Sequence, residues 1–157
     1  MPPQISYLQF IYSHGYIHTD IKPQNILAGL GNNTLTVFII DFGIAKWYCN
    51  PTTETHFPFV HANCTTGTPA FTSINSHLGA WLWCHNNNKS LAYLLVYLSC
   101  GSLPWIDSHS TKSLSILRLK QETPLELLCS GLSQELTTLL TYTQTLFYLE
   151  EPDYDYI

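Results

Sequence analysis

"YIHTDIKPQNIL", residues 16–27, decides how the rest of the chain is read. Directly after a run suited to burial it places an aspartate, a lysine and an asparagine close together: Asp20, Lys22 and Asn25. Fourteen residues beyond its end a further aspartate, Asp41, stands beside a glycine in "IIDFGIAKWY" (39–48). The surrounding chain is poor in charge. Its 157 residues are 45% hydrophobic and 13% aromatic, which suits one globular domain with a real core. Only 11% are charged, under half the usual fraction of about 25%. A surface so short of charge is expected to need covering.

The four polar residues share one chemistry. Phosphoryl transfer asks a protein for positioning and charge neutralisation more than for covalent help. Asp20 can accept the proton of an attacking hydroxyl, and Lys22, two residues on, can neutralise the moving phosphoryl group. Asn25 and Asp41 supply oxygen ligands suited to Mg²⁺, and Gly43 lets the backbone turn beside the metal. In order and spacing these residues match the protein-kinase pattern H-R-D-x-K-x-x-N followed by D-F-G. His18 and Phe42 read as stacked groups that link the two loops, and Leu27 reads as core. His56, His61, His77, His85 and His109 read as loop or surface residues, and Asp153 and Asp155 as a solvated tail.

Around this segment the periodicity predicts a mainly helical (α+β) domain with one or two small β-hairpins. Ile5, Leu8, Ile11 and Tyr12 recur at helical spacing and predict an amphipathic helix over 4–14, stopped by Gly15. Pro23 predicts a loop followed by a short extended piece, with no helix there. "GLGNN" (29–33) reads as a turn, and the alternating, β-branched "TLTVFIID" (34–41) as a hairpin strand. Residues 48–68, rich in Thr, Pro, Asn and His, read as a long loop. From residue 87 the pattern turns helical, with Leu91, Leu94, Leu95 and Leu98 on one side and "GSLPW" (101–105) as its end. Further helices are predicted over 111–120, 123–129 and 132–149, the last facing Leu132, Leu136, Leu139, Leu140 and Tyr142 inward.

Several function classes are disfavoured. A net charge of −5 gives no basic patch for nucleic acid or an anionic membrane. The five cysteines are far apart without a C-x-x-C, which favours reduced thiols in a cytoplasmic or nuclear setting. With seven scattered histidines, a zinc site is not expected. No signal peptide is evident, and "LAYLLVYLSC" (91–100) is too short to span a bilayer.

The likeness reaches past the catalytic motifs. "TGTPAFTSINSHLG" (66–79), "GSLPW" (101–105), "ETPLELLCSGL" (122–132) and "EEPDYDYI" (150–157) together resemble the casein kinase 1 family of serine/threonine protein kinases. Ser73-Ile74-Asn75 stands where most kinases have Ala-Pro-Glu. The sister tau-tubulin and vaccinia-related kinases share that tripeptide or a close variant, but "TPLELLC" and "PDYDY" fit casein kinase 1 better. The resemblance spans 1–157 and is weakest over 48–65 and 106–121. It implies the helical C-terminal lobe of the kinase fold, entered midway along the helix before the catalytic loop. It also implies ATP with Mg²⁺ as cofactor and a protein substrate. Asp20 would be the base, Lys22 the phosphate contact, Asn25 and Asp41 the metal ligands, and Leu27 a support for the adenine ring.

The same comparison implies departures. No Gly-rich loop and no V-A-I-K lysine precede the segment, so the N-terminal lobe is expected to be absent and the apolar face it covers exposed. Thr19 replaces the arginine of H-R-D. Asn87 replaces an aspartate whose carboxylate holds the catalytic loop, and its amide oxygen should accept a weaker bond. Val60 and Asn63 fall where the family carries basic residues for acidic substrates. The chain alone is therefore expected to be inactive. The alternatives are a non-catalytic kinase-like interaction module, with a partner over the exposed face, and a decayed or truncated gene product.

Overall fold

The fold was obtained as a computed structural model, which describes residues 3–34, 36–53, 55–58, 65–80, 84–106, 113–146, 150, 152–154 and 156. The first helix, α1 (Pro3–Ser13), buries Leu8, Ile11 and Tyr12 at the expected spacing. The side chain of Ile5 lies outside the described residues. Gly15 ends the helix as predicted. It takes a left-handed φ of 81°, and its N–H donates back to Tyr12 O at 2.8 Å.

Strand β1 (Tyr16–Ile17) pairs antiparallel with β4 (Lys46–Trp47), Tyr16 opposite Trp47. Between them lies a hairpin of β2 (Ile26–Ala28) and β3 (Val37–Ile39), with Leu27 opposite Phe38. Two readings change here. Pro23 does not exclude a helical turn: Pro23–Asn25 is a 3₁₀ turn with proline at its first position, where no N–H is needed. Leu27 is not core, being 47% exposed. Successive strand residues point to opposite faces, and this hairpin turns Ile26 and Ile39 against the core, leaving Leu27 and Phe38 outside. Ile40, Phe42, Ile44 and Trp47 add to that exposed apolar group.

After the short α2 (Ile74–His77), the core is built around α3 (Cys84–Cys100), which packs on α1 and on α6 (Gln134–Thr145). Its buried face is broader than one leucine stripe: Leu91 and Leu94 are joined by Ala92, Tyr93 and Val96. Leu98, predicted on that stripe, is 59% exposed, and the two residues that end the helix after it are exposed as well. Gly101, with φ of 79°, follows the helix end. Helices α4 (Ser113–Glu122) and α5 (Leu125–Leu128) occupy the predicted places. In α6, Leu139 and Leu140 are buried and Leu136 and Tyr142 half-buried; Leu132, also half-buried, lies before the Ser133 cap. The helix ends at Thr145, earlier than the pattern predicts.

The C-terminal "PDYDY" is not simply a solvated tail. Tyr154 is buried in the main core cluster, and the Asp153 N–H donates to the Tyr142 hydroxyl at 2.7 Å. Asp153 itself is exposed; Asp155 lies outside the described residues. Among the described residues no helix is long and apolar enough to cross a membrane, and no three His, Cys, Asp or Glu side chains gather as a metal site.

Candidate active site

The loop after β1 is fixed at both ends by buried groups. His18 is completely buried, and burial lowers its pKa against the opposing pull of Ile40 and of nearby Asp20 and Asp41. The neutral ring therefore has one donor and one acceptor. The Asp20 N–H reaches Nδ1 at 3.3 Å, so Nε2 carries the proton and donates to Ile40 O at 2.9 Å. The Ile40 N–H in turn donates to Asn25 O at 2.9 Å. These bonds seat the residue just before Asp41 against the Asp20–Asn25 turn. His18 also meets the Phe42 ring edge-on at 4.8 Å, the stacking the sequence suggests.

Thr19 and Asp41 both take left-handed backbone angles, φ 67° and 64°, which side chains other than glycine rarely adopt. Such angles cost about 1–3 kcal/mol each and persist where surrounding contacts fix them. Around Thr19 those contacts are visible. Its N–H donates to Asn87 Oδ1 at 3.2 Å, and its hydroxyl donates to Ile44 O at 2.8 Å. The amide at position 87 thus accepts from the loop in the manner expected of it.

The Asp20 carboxylate is hydrogen-bonded at both oxygens. Its Oδ2 receives Lys22 Nζ at 2.6 Å and Asn25 Nδ2 at 3.4 Å. Its Oδ1 receives the Thr68 N–H at 2.8 Å and the Thr68 hydroxyl at 2.7 Å. Burial pushes the carboxyl up, but the bonds from Lys22 and Thr68 outweigh it and hold Asp20 below the ordinary carboxylate range. Asp20 is therefore an anion at neutral pH, able to accept a proton or orient a donor. Asn25 is buried, and its Nδ2 is given to Asp20 O at 2.9 Å, so a cation could take only its oxygen. Asp41 is exposed, and its Oδ1 accepts only a long 3.3 Å bond from the Gly43 N–H among those described. Asn25 Oδ1 and the Asp41 carboxylate are oxygen donors, the kind that suits Mg²⁺ better than a softer metal. Hydrogen bonds thus bring Asp20, Lys22 and Asn25 together, Asp41 follows Ile40, whose N–H is bonded to Asn25 O, and Leu27 stands on the exposed hairpin face.

The sequence assigned no role to Thr68, Gly67, His77 or Lys120. Gly67, at φ 85°, lets the chain pass so close to the loop carrying Asp20 that a Cβ there would lie 2.3 Å from Thr19 O. His77, expected at the surface, is half-buried. Its Nε2 lies 3.0 Å from Pro69 O and its Nδ1 3.1 Å from Ser113 Oγ. Burial and the nearby Lys120 lower its pKa to about 4. The unfolded chain therefore binds more protons than the native state between about pH 4 and 6.5, so stability should rise with pH across that window. His18, also lowered, adds slope of the same sign, and Lys120, lowered to about 6, adds it from about pH 6 upward. Melting curves of His77→Gln should show a shallower rise over this range; an unchanged slope would contradict the burial argument. Val60, Asn63, His61, His109 and the side chain of His85 lie outside the described residues.

The sequence model of one family, described as the protein kinase domain, matches residues 4–143.

Proposed function

The chain belongs to the protein kinase family, and from that premise we propose that it carries the catalytic-loop half of a casein kinase 1-type serine/threonine phosphoryl-transfer site. The observation that carries this reading is the grip on Asp20, with Thr68 on one carboxylate oxygen and Lys22 on the other. In this reading Asp20 accepts the substrate hydroxyl's proton at Oδ2, the oxygen not bound to Thr68. Lys22 then steadies charge on the phosphoryl group, Asn25 and Asp41 hold Mg²⁺, and Leu27 lies beneath the adenine. Bound there, Mg·ATP would supply the phosphoryl group and shield its charge. The chain corresponds to the helical large lobe of the fold, and a hydroxyl-bearing protein is its substrate class.

With Leu27 and Asp41 both open to solvent, the 157-residue chain offers one wall of a nucleotide site. Water there weakens the charge stabilisation on which transfer depends. We therefore expect no rise in melting temperature with Mg·ATP for this chain alone. A concentration-dependent rise would show a complete site, because a ligand that binds the native state must stabilise it. A non-catalytic, kinase-like module is the second reading. It is favoured by Thr19, which bonds a neutral carbonyl where a phosphate-responsive arginine is usual.

The metal assignment can be tested without ATP. Mn²⁺ titrated into the chain should broaden NMR signals around Asn25 and Asp41, and Asp41→Asn should abolish most of that broadening. Broadening centred elsewhere, or equal in the variant, would remove both residues from the metal site.

A further inference from the structure

Residues 68–72 form a tight turn in which Thr68 O accepts N–H groups from Phe71 and Thr72, each at 3.0 Å. The front of the turn is Thr68, whose N–H and hydroxyl hold Asp20. The back is gripped by side chains distant in sequence. Lys120 Nζ donates to Pro69 O at 2.8 Å and to Thr72 O at 2.5 Å, and Trp105 Nε1 donates to Ala70 O at 2.7 Å. Lys120 comes from α4, only 4% exposed, with Nζ 4.9 Å from the centre of the Tyr93 ring and 5.2 Å from that of Trp105. Among the described residues no carboxylate pairs with it.

A buried, unpaired amine is costly. A methionine would fill the same space without that cost, so packing alone does not account for a lysine here. What the amine adds is two donors for two carbonyls. Pro69 O has a second donor in His77, but Thr72 O would lose the Lys120 bond outright. Burial lowers the Lys120 pKa to about 6, and the neutral amine still has two N–H groups, one for each carbonyl.

We infer that Lys120 is a positioning residue for Asp20: by gripping the carbonyls of Pro69 and Thr72 it fixes the turn that presents Thr68 to the carboxylate. The inference rests on the phosphoryl-transfer reading only in giving Asp20 a catalytic purpose. The mechanical link from Lys120 through Thr68 to Asp20 stands on contacts alone.

Amide hydrogen exchange separates this role from simple core filling. In Lys120→Met, the Thr68 N–H should exchange about tenfold faster relative to the Leu94 N–H, the scale of losing one buried hydrogen bond. Leu94, at the centre of α3, reports global stability. Lys120→Arg, with donors for both carbonyls, should restore Thr68 protection, and Lys120→Gln, whose donor nitrogen sits one bond nearer the backbone, should fall between. Thr68 and Leu94 changing by the same factor in Lys120→Met would overturn the inference. If the methionine variant does not fold, the same criterion applies to Lys120→Gln against Lys120→Arg. Wherever phosphotransfer by the full chain is measurable, the glutamine variant should lower kcat and leave KM for ATP unchanged; an unchanged kcat would overturn the positioning role. Absence of transfer by the unmodified chain would count against the kinase activity and leave the exchange result intact.

Discussion

Gly67→Ala should lower the melting temperature by about 6–12 °C. Two costs combine. A left-handed φ of 85° is unfavourable for any residue with a Cβ, by roughly 1–2 kcal/mol. The new Cβ would also lie 2.3 Å from Thr19 O, a backbone atom held in place by the Asn87 and Ile44 bonds on either side of it. Relief requires moving the loop or the turn, and overpacking of this kind costs about 1–3 kcal/mol. A total near 3 kcal/mol, at about 2–4 °C per kcal/mol for a domain of this size, gives the range stated. Gly101→Ala and Gly131→Ala isolate the steric part, since both have similar φ, 79° and 78°, with open space where the Cβ would stand. If Gly67→Ala melts no lower than these controls, the close approach to Thr19 is wrong. Because Thr68 follows directly, the same displacement should also free one oxygen of Asp20.

Trp105→Ala should cost about 3–5 kcal/mol, the usual range for emptying a large buried aromatic site. The indole is 1% exposed and packs edge-on against Tyr93 at 5.1 Å. It also covers the Lys120 amine, and its N–H serves the Ala70 carbonyl. Trp105→Phe keeps most of the ring and removes the donor, so it should cost about 1–3 kcal/mol, the scale of an orphaned buried carbonyl. Denaturant unfolding of the two variants separates packing from hydrogen bonding, with midpoints shifting at constant slope. Equal losses in the two variants would mean that the cavity contributes nothing.

The residues that do the proposed chemistry were legible because they are close in sequence and fixed in spacing. Asp20, Lys22 and Asn25 lie on one turn, and Asp41 is tied to them through Ile40, a geometry the motif encodes locally. What the sequence hid was contact at a distance. Lys120 sits in "SLSILRLKQE", where a charged residue in a helix reads as surface. Its only local sign of burial is that it stands four residues after Ile116, on the same helical face. His77 was misread for the same reason, its partners Pro69 and Ser113 being invisible to local pattern. Leu27 failed differently. Alternation identifies a strand but not which of its faces the domain covers, and Ile26 and Leu27 are equally apolar candidates for burial. Pro23 shows the limit of a residue rule, since proline excludes helix interiors and favours first positions.

The contacts that hold Asp20 and its loop have a consequence for how the molecule is made. The hydrogen bonds that define them join residues 48 (Asp20 to Thr68), 68 (Thr19 to Asn87) and 51 (Pro69 to Lys120) positions apart. The β2–β3 hairpin and the helices need only neighbours. Closing long loops is entropically slower than forming local structure, so during refolding the hairpin and α3 should gain protection first and the Thr68 amide afterwards. Pulse-labelled hydrogen exchange would reveal the order, and simultaneous protection would refute it. If the order holds, the turn closes over the Asp20 carboxylate only after the hairpin and α3 are in place, and any intermediate that precedes it is structured yet leaves that carboxylate without its Thr68 bonds.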